Sequence, residues 1–393
     1  MKKLAFVSPW YGDDIPGGAE MEQRSLAKDL QAAGVEVEVL TTCVQKFDGD
    51  WGGDYYLPGT RVEGGITVRR FWTSPRNAKM FGAVNGKLMA GRAITPEEET
   101  IFINEMVNSD ALVEYIALHK PDYSFFVFIP YMFGTTYFGA AAAGDQAILI
   151  PCFHDEAYLY LEIFKRAFSQ VRGVLYNAQP EMTLTDRVYD MKNVEELVIG
   201  IGMDTDITGD GAHFRKKYGL DAPFLLYAGR KDAGKNVDTL LNYFAEYKRR
   251  HPGDLQLVLI GGGKLAIPAE IADDVHDLGF VDKQDKYDAC AAAALLCQPS
   301  KHESFSLVIM ESWLCGRPVL VHKDCEVTRH FAVESGGGLY FESYGTFDGA
   351  VSRLLADPAL AAAMGAQGRA YVLGSFTRQC VTQKCIDFFE RLG

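Results

Sequence analysis

Residue types capable of chemistry gather first around two glutamates. Glu303 and Glu311 lie eight positions apart, and Ser304, Phe305 and Ser306 separate the first of them from a stretch, 307–314, whose apolar spacing predicts a helix. The apolar run 294–297 just before them predicts a buried parallel strand, so Glu303 falls in the loop at that strand's carboxyl end. An ionised carboxylate only accepts hydrogen bonds, and a pair of them suits a ligand rich in hydroxyl donors. The first turn of a helix leaves backbone N–H groups, here those of Ser306, Leu307 and Val308, without intrahelical partners, and such amides hold phosphate. A molecule with sugar hydroxyls at its ends and a diphosphate between them meets both demands.

Three further segments place reactive types after predicted strands. Behind 224–228, the sequence Gly229-Arg230-Lys231-Asp232-Ala233-Gly234-Lys235-Asn236 offers a guanidinium fork and a mobile ammonium, a combination that neutralises a diphosphate as charge builds on it. Lys231 is an extra cation with no assigned task. Behind 4–7, Gly17 and Gly18 precede an amphipathic helix and let backbone approach a ligand with no Cβ in the way. The predicted strand 147–153 is followed by His154, Asp155 and Glu156. The His154 imidazole and carbonyl can both bond sugar hydroxyls and stabilise an oxocarbenium-like centre. Cys152 stands two residues earlier, so a Cys/His nucleophile is an alternative whose geometry depends on how far the strand stays extended.

Taken from Gly17 through His154 and Arg230 to Glu303, the four segments resemble retaining family 4 glycosyltransferases. Glu303 to Glu311 resembles the family's E-x7-E signature, and Trp313-Leu314-Cys315-Gly316-Arg317-Pro318-Val319 its continuation. Gly229 to Asn236 resembles the G-R-x-x-x-x-K-[GN] segment, Gly17-Gly18-Ala19-Glu20 the G-G-[AV]-E loop, and Gly279-Phe280-Val281 a G-x-[VI] strand end whose backbone meets the nucleobase. The resemblance implies an α/β protein of GT-B type, two doubly wound Rossmann-like domains facing a central cleft. An acceptor-side domain would cover 1–204, with a terminal helix, 376–393, packing back on it, and a nucleotide-sugar domain would cover 205–375. It implies catalytic roles for His154, Glu303, Arg230 and Lys235. Donor binding would fall to Gly17, Gly18, Val281, Ser304, Phe305, Ser306, Leu307, Val308 and Glu311, with no metal and no cofactor. The implied reaction is front-face transfer, with retention, of a hexosyl unit from a UDP- or GDP-linked sugar to a hydroxyl of a glycan or lipid-linked acceptor, in surface polysaccharide or glycoconjugate biosynthesis. Two departures stand out: Ser304 and Ser306 replace glycines of the commoner signature, and 324–330 replaces a G-G-x-x-E-[IV] turn.

The rest of the chain is consistent with this reading and limits the alternatives. At 393 residues and 48% apolar it can build two cores, and predicted strands alternate with helices at 4–7, 35–42, 67–71, 123–129, 147–153, 174–177 and 197–201, then 224–228, 256–260, 275–278, 294–297, 318–321 and 338–341. A net charge of −13 argues against nucleic acid as a partner. The eight cysteines are scattered with no C-x-x-C pair, and no long apolar run or signal peptide is evident, which predicts a cytoplasmic protein with reduced thiols. Residues 64–96 hold Arg69, Arg70, Arg76, Lys79, Lys87 and Arg92 with no acid, so peripheral contact with an anionic acceptor or the inner membrane face is expected through this segment. A metal-dependent transferase would use a D-x-D, for which Asp48/Asp50 and Asp204/Asp206 are candidates, both in turn-forming sequence. A dinucleotide oxidoreductase would need G-x-G-x-x-G after the first strand, where Ser8-Pro9-Trp10-Tyr11 stands instead. A non-catalytic protein that binds nucleotide sugars or glycans on the same fold is the remaining alternative.

Overall fold

The computed structural model describes residues 2–15 and 17–393. The chain divides into two α/β units, Met1–Gly202 with Arg378–Gly393, and Met203–Thr377. In the first, eight strands are β1 (Lys3–Ser8), β2 (Val37–Thr42), β3 (Gly59–Glu63), β4 (Ile66–Phe71), β5 (Tyr123–Phe128), β6 (Ala147–Leu149), β7 (Gly173–Tyr176) and β8 (Glu195–Val198), in the order β3-β4-β2-β1-β5-β6-β7-β8. All ladders are parallel except β3–β4. Near-continuous apolar strands form such a sheet because helices cover both faces. Alternation then divides β1: Ala5 and Val7 enter one core with Phe126 and Phe128, while Leu4 and Phe6 enter the other with Val37 and Val39. The terminal helix Arg378–Leu392 seals that second face with Val381, Cys385, Phe388 and Phe389.

The second unit has β9 (Phe224–Ala228), β10 (Gln256–Ile260), β11 (Val275–Gly279), β12 (Leu295–Gln298), β13 (Val319–His322) and β14 (Gly338–Phe341), ordered β11-β10-β9-β12-β13-β14 and parallel throughout. One of its faces buries Leu225, Tyr227, Leu257, Leu259, Leu295, Cys297 and Leu320 under helix Val237–Arg250.

Two differences from the sequence reading have local causes. β6 stops at Leu149, four residues short of the predicted 147–153, and Cys152 takes a left-handed φ of 55°, so the chain turns before reaching His154. The hairpin β3–β4 was not expected; Gly64 and Gly65, at φ 55° and 87°, close it, and β3 is the antiparallel edge. Among the described residues no helix is long and apolar enough to cross a membrane.

Candidate functional site

In the second unit, β9 lies between β10 and β12, so strand order reverses there. Ligands in open α/β sheets bind beyond the carboxyl ends of the strands at such a switch point, because the two flanking loops diverge to opposite faces. The loop after β9 carries Arg230 and Lys235, and the loop after β12 carries Glu303 and Ser306. The fold brings them together: Lys235 Nζ donates to Glu303 Oε1 at 2.7 Å, with the side chains 21% and 12% exposed. Asn236, in left-handed conformation at φ 56°, clips the loops by donating from Nδ2 to the Pro299 carbonyl at 3.0 Å.

The Arg230 guanidinium is mostly exposed and lies 3.4 Å from Asp232, while its carbonyl accepts from the Tyr227 hydroxyl. Lys231 behaves differently. Its side chain is 1% exposed and ion-paired to Asp277 of β11, so it ties the loop after β9 to a strand on the far side of β10 instead of facing solvent as a third cation. Its backbone N–H donates to the Gly262 carbonyl at 2.7 Å. Gly261, at φ 119°, permits this close packing, since a Cβ there would sit 2.1 Å from the Gly229 carbonyl oxygen.

Helix Leu307–Leu314 begins after Ser306, and Leu307 and Val308 in its first turn are half-buried. Glu311, on the same helix, is buried, and its Oε1 accepts from Lys286 Nζ at 2.6 Å. Lys286 comes from helix Lys283–Ala292, and nothing in the sequence pattern pointed to it. Phe305 corrects the sequence reading in part: its side chain is core, edge-on to Phe331 and Phe376 at 5.2 and 5.0 Å, which leaves only its backbone to meet a ligand. Trp313 anchors the helix from below, donating from Nε1 to the Gly337 carbonyl at 2.8 Å. Ser304 is half-buried. Beyond β11, Val281 is half-buried and the Phe280 ring is 83% exposed beside Gly262.

In the first unit, Gly17 caps helix Gly18–Ala32 with φ 142°, and a Cβ there would meet Glu20 Oε2 at 1.9 Å. Glu20 Oε1 accepts from Trp10 Nε1 at 2.7 Å, fastening the loop after β1. His154 Nδ1 lies 3.7 Å from Glu156 Oε1, which accepts from the Tyr131 hydroxyl at 3.0 Å. Glu181 holds the segment before His154: its carboxylate accepts from the Phe153 N–H at 2.6 Å and the Asn177 N–H at 2.7 Å. Burial pushes Glu181 up to about 7 and neighbouring Glu22 up to about 8. Cys152 Sγ lies 3.7 Å from Glu22 Oε2, and burial drives its thiol well above the ordinary value. A thiol kept protonated in this way is a poor nucleophile.

The D-x-D candidates sit in turns: Asp50 Oδ1 accepts from the Gly52 N–H at 2.9 Å, Asp204 Oδ1 from the Asp206 N–H at 3.3 Å, and Asp48 pairs with Lys46. Among the described residues, His213, Asp285 and Asp288 bring ligand atoms within 4.8 Å of one another, but Asp285 is already bonded by Lys217 and Tyr218. The basic segment is smaller than the sequence predicts. Arg69 pairs with Glu38, buried Arg70 with Glu63, and Lys87 with Glu98, while Arg76 donates to the Glu105 carbonyl and covers Phe81. Acids absent from 64–96 arrive from other elements, and only Lys79 and Arg92 remain exposed with no ion pair among the described residues.

Residues 212–371 match the family described as glycosyl transferases group 1. The match lies within the second unit. The matched region takes in all six strands of this sheet, the Arg230 loop and helix Leu307–Leu314. The D-inositol 3-phosphate glycosyltransferase of Acidothermus cellulolyticus is 32% identical over 210 residues, covering 48% of this chain and 43% of that protein. The chain spans about half the length of the curated relatives it matches. Among solved structures, sucrose-phosphate synthase from Thermosynechococcus elongatus aligns with a TM-score of 0.71 at 20% identity, over 100% of this chain and 99% of the other. Anabaena Alr3699/HepE in complex with UDP aligns with a TM-score of 0.72 at 16% identity, over 99% and 100%. These likenesses show the GT-B fold.

Proposed function

We propose that this chain is a retaining, metal-independent hexosyltransferase that uses a UDP- or GDP-linked sugar. The observation that carries the reading is the Lys235–Glu303 pair at the β9/β12 switch point, within the group 1 region and beside exposed Arg230 and the start of helix Leu307–Leu314. Arg230 and Lys235 would take the charge that develops on the departing diphosphate, and the first-turn amides of Leu307 and Val308 would share it. Glu303, released from Lys235 as phosphate engages that cation, would accept from hydroxyls of the transferred sugar. Glu311, with Oε1 engaged by Lys286, would accept a ribose hydroxyl through Oε2. Support for the donor class comes from HepE, solved with UDP, and from the glycosyltransferase name of the inositol-phosphate relative.

Gly17, Gly18 and His154 carry the roles that the resemblance assigns in the first unit. His154→Ala is expected to lower kcat at least tenfold, as loss of a group bonding the reacting sugar would. The acceptor is proposed to be a hydroxyl of a glycan or lipid-linked glycan. Contact with anionic lipid would rest on Lys79 and Arg92, and a K79E/R92E variant should bind anionic vesicles more weakly than wild type; equal binding removes the membrane from the proposal.

The deciding experiment is thermal stabilisation by UDP and by GDP, each with and without EDTA, followed by release of the same diphosphate from its sugar nucleotide. Stabilisation by one of them that persists in EDTA, with turnover, is the expected result. Stabilisation only with a divalent metal sinks metal independence, and binding without turnover on any acceptor favours a nucleotide-sugar-binding protein.

A further inference from the structure

Ser306 is unfavourable in two independent ways. Its φ of 79° and ψ of 78° lie in the left-handed region, where a Cβ crowds the backbone. Its side chain is also buried, the residue being 8% exposed, and the hydroxyl has no hydrogen-bond partner. A buried hydroxyl left in that state is destabilising, because its lost hydration is not replaced. Glycine would remove both penalties. Serine before a helix normally earns its place by accepting from the N–H of the first turn, yet Ser306 makes no such cap. The residue thus spends stability without a return inside the fold, and such spots concentrate where a ligand completes the bonding.

The surroundings define that ligand. Ser306 immediately precedes the first turn of Leu307–Leu314, whose amides and helix dipole favour an anion. Three residues earlier stands Glu303, an acceptor already supplied by Lys235. We infer that Ser306 Oγ donates a hydrogen bond to a phosphate oxygen of a nucleoside diphosphate bound at this helix start. This rests on the donor-site reading above and adds a side-chain donor to the backbone amides assigned there.

The test compares wild type, Ser306→Gly and Ser306→Ala, measuring Tm without ligand and, by calorimetry, affinity for UDP and GDP and for uridine and guanosine. In Ser306→Gly, Tm should rise while affinity for the preferred diphosphate falls about tenfold; the matching nucleoside should bind unchanged. Ser306→Ala should lose the same factor with a smaller rise in Tm, because the Cβ and its φ remain. Diphosphate affinity equal to wild type in both variants overturns the inference while leaving the donor site standing. An equal loss for the nucleoside also overturns it, since the hydroxyl would then act away from phosphate. Failure of wild type to bind any diphosphate overturns the donor reading and this inference together.

Discussion

Lys235→Ala removes the cation that faces Glu303 and, on the proposed chemistry, part of the stabilisation of the leaving group. kcat/KM should fall about 10²- to 10³-fold, the scale of losing one preorganised donor at a developing charge. The partly exposed pair itself adds little to folding, so Tm should move only slightly, and a large drop in Tm with unchanged kinetics would make Lys235 a structural residue. Glu311→Ala should reduce kcat/KM about 10- to 150-fold, chiefly through KM for the donor, as expected for one charge-assisted hydrogen bond. Lys286→Met is more informative still, because it leaves the buried Glu311 carboxylate without its cation. Both Tm and donor affinity should fall in that variant, measured by calorimetry. The glutamates could be found from their spacing, but Lys286 could not, because its partner lies 25 residues away on another helix.

At the scale of elements, the loops that present these residues depend on contacts invisible in a linear pattern. Gly261→Ala would drive a Cβ against the Gly229 carbonyl and displace the loop carrying Arg230. A loss of roughly 2 kcal/mol or more in denaturant unfolding, with weakened diphosphate binding, is the expected outcome. In the first unit, Glu181→Gln replaces one of the two carboxylate oxygens that accept from Phe153 and Asn177 with a donor. Faster amide exchange at Phe153 should result. The strands around these loops were legible because parallel strands buried on both faces read as continuous apolar runs. β6 was overdrawn because its apolar run continues through Phe153, whereas the ladder ends at Leu149 and the chain takes a left-handed turn at Cys152. The β3 edge was missed although Gly64-Gly65 carries a hairpin signal, since an exposed edge strand has little apolar character to announce it.

For the whole molecule, the buried acids Glu22 and Glu181 set a pH dependence. Burial raises both above the ordinary value of 4.5, to about 8 and about 7, so the native state binds protons that the unfolded chain has released. Their contribution is fully present below about pH 4.5 and is lost as pH rises through about 7 to 8. Tm should therefore decline between pH 5.5 and pH 8.5, and Glu22→Gln should flatten that decline; a variant that keeps the wild-type slope would assign the effect elsewhere. The amino-acid sequence by itself determined the α/β class, the alternation of strands and helices and the residue types at the switch-point loops, because burial periodicity and turn chemistry are local properties. Tertiary structure alone decided that Lys235 meets Glu303, that Lys231 is a buried tie to Asp277, that Phe305 is core and that three of the six cations in the basic segment, Arg69, Arg70 and Lys87, are ion-paired. Each of these depends on which distant strand lies alongside and which side chain it brings within a few ångströms, and spacing along the chain does not encode that distance.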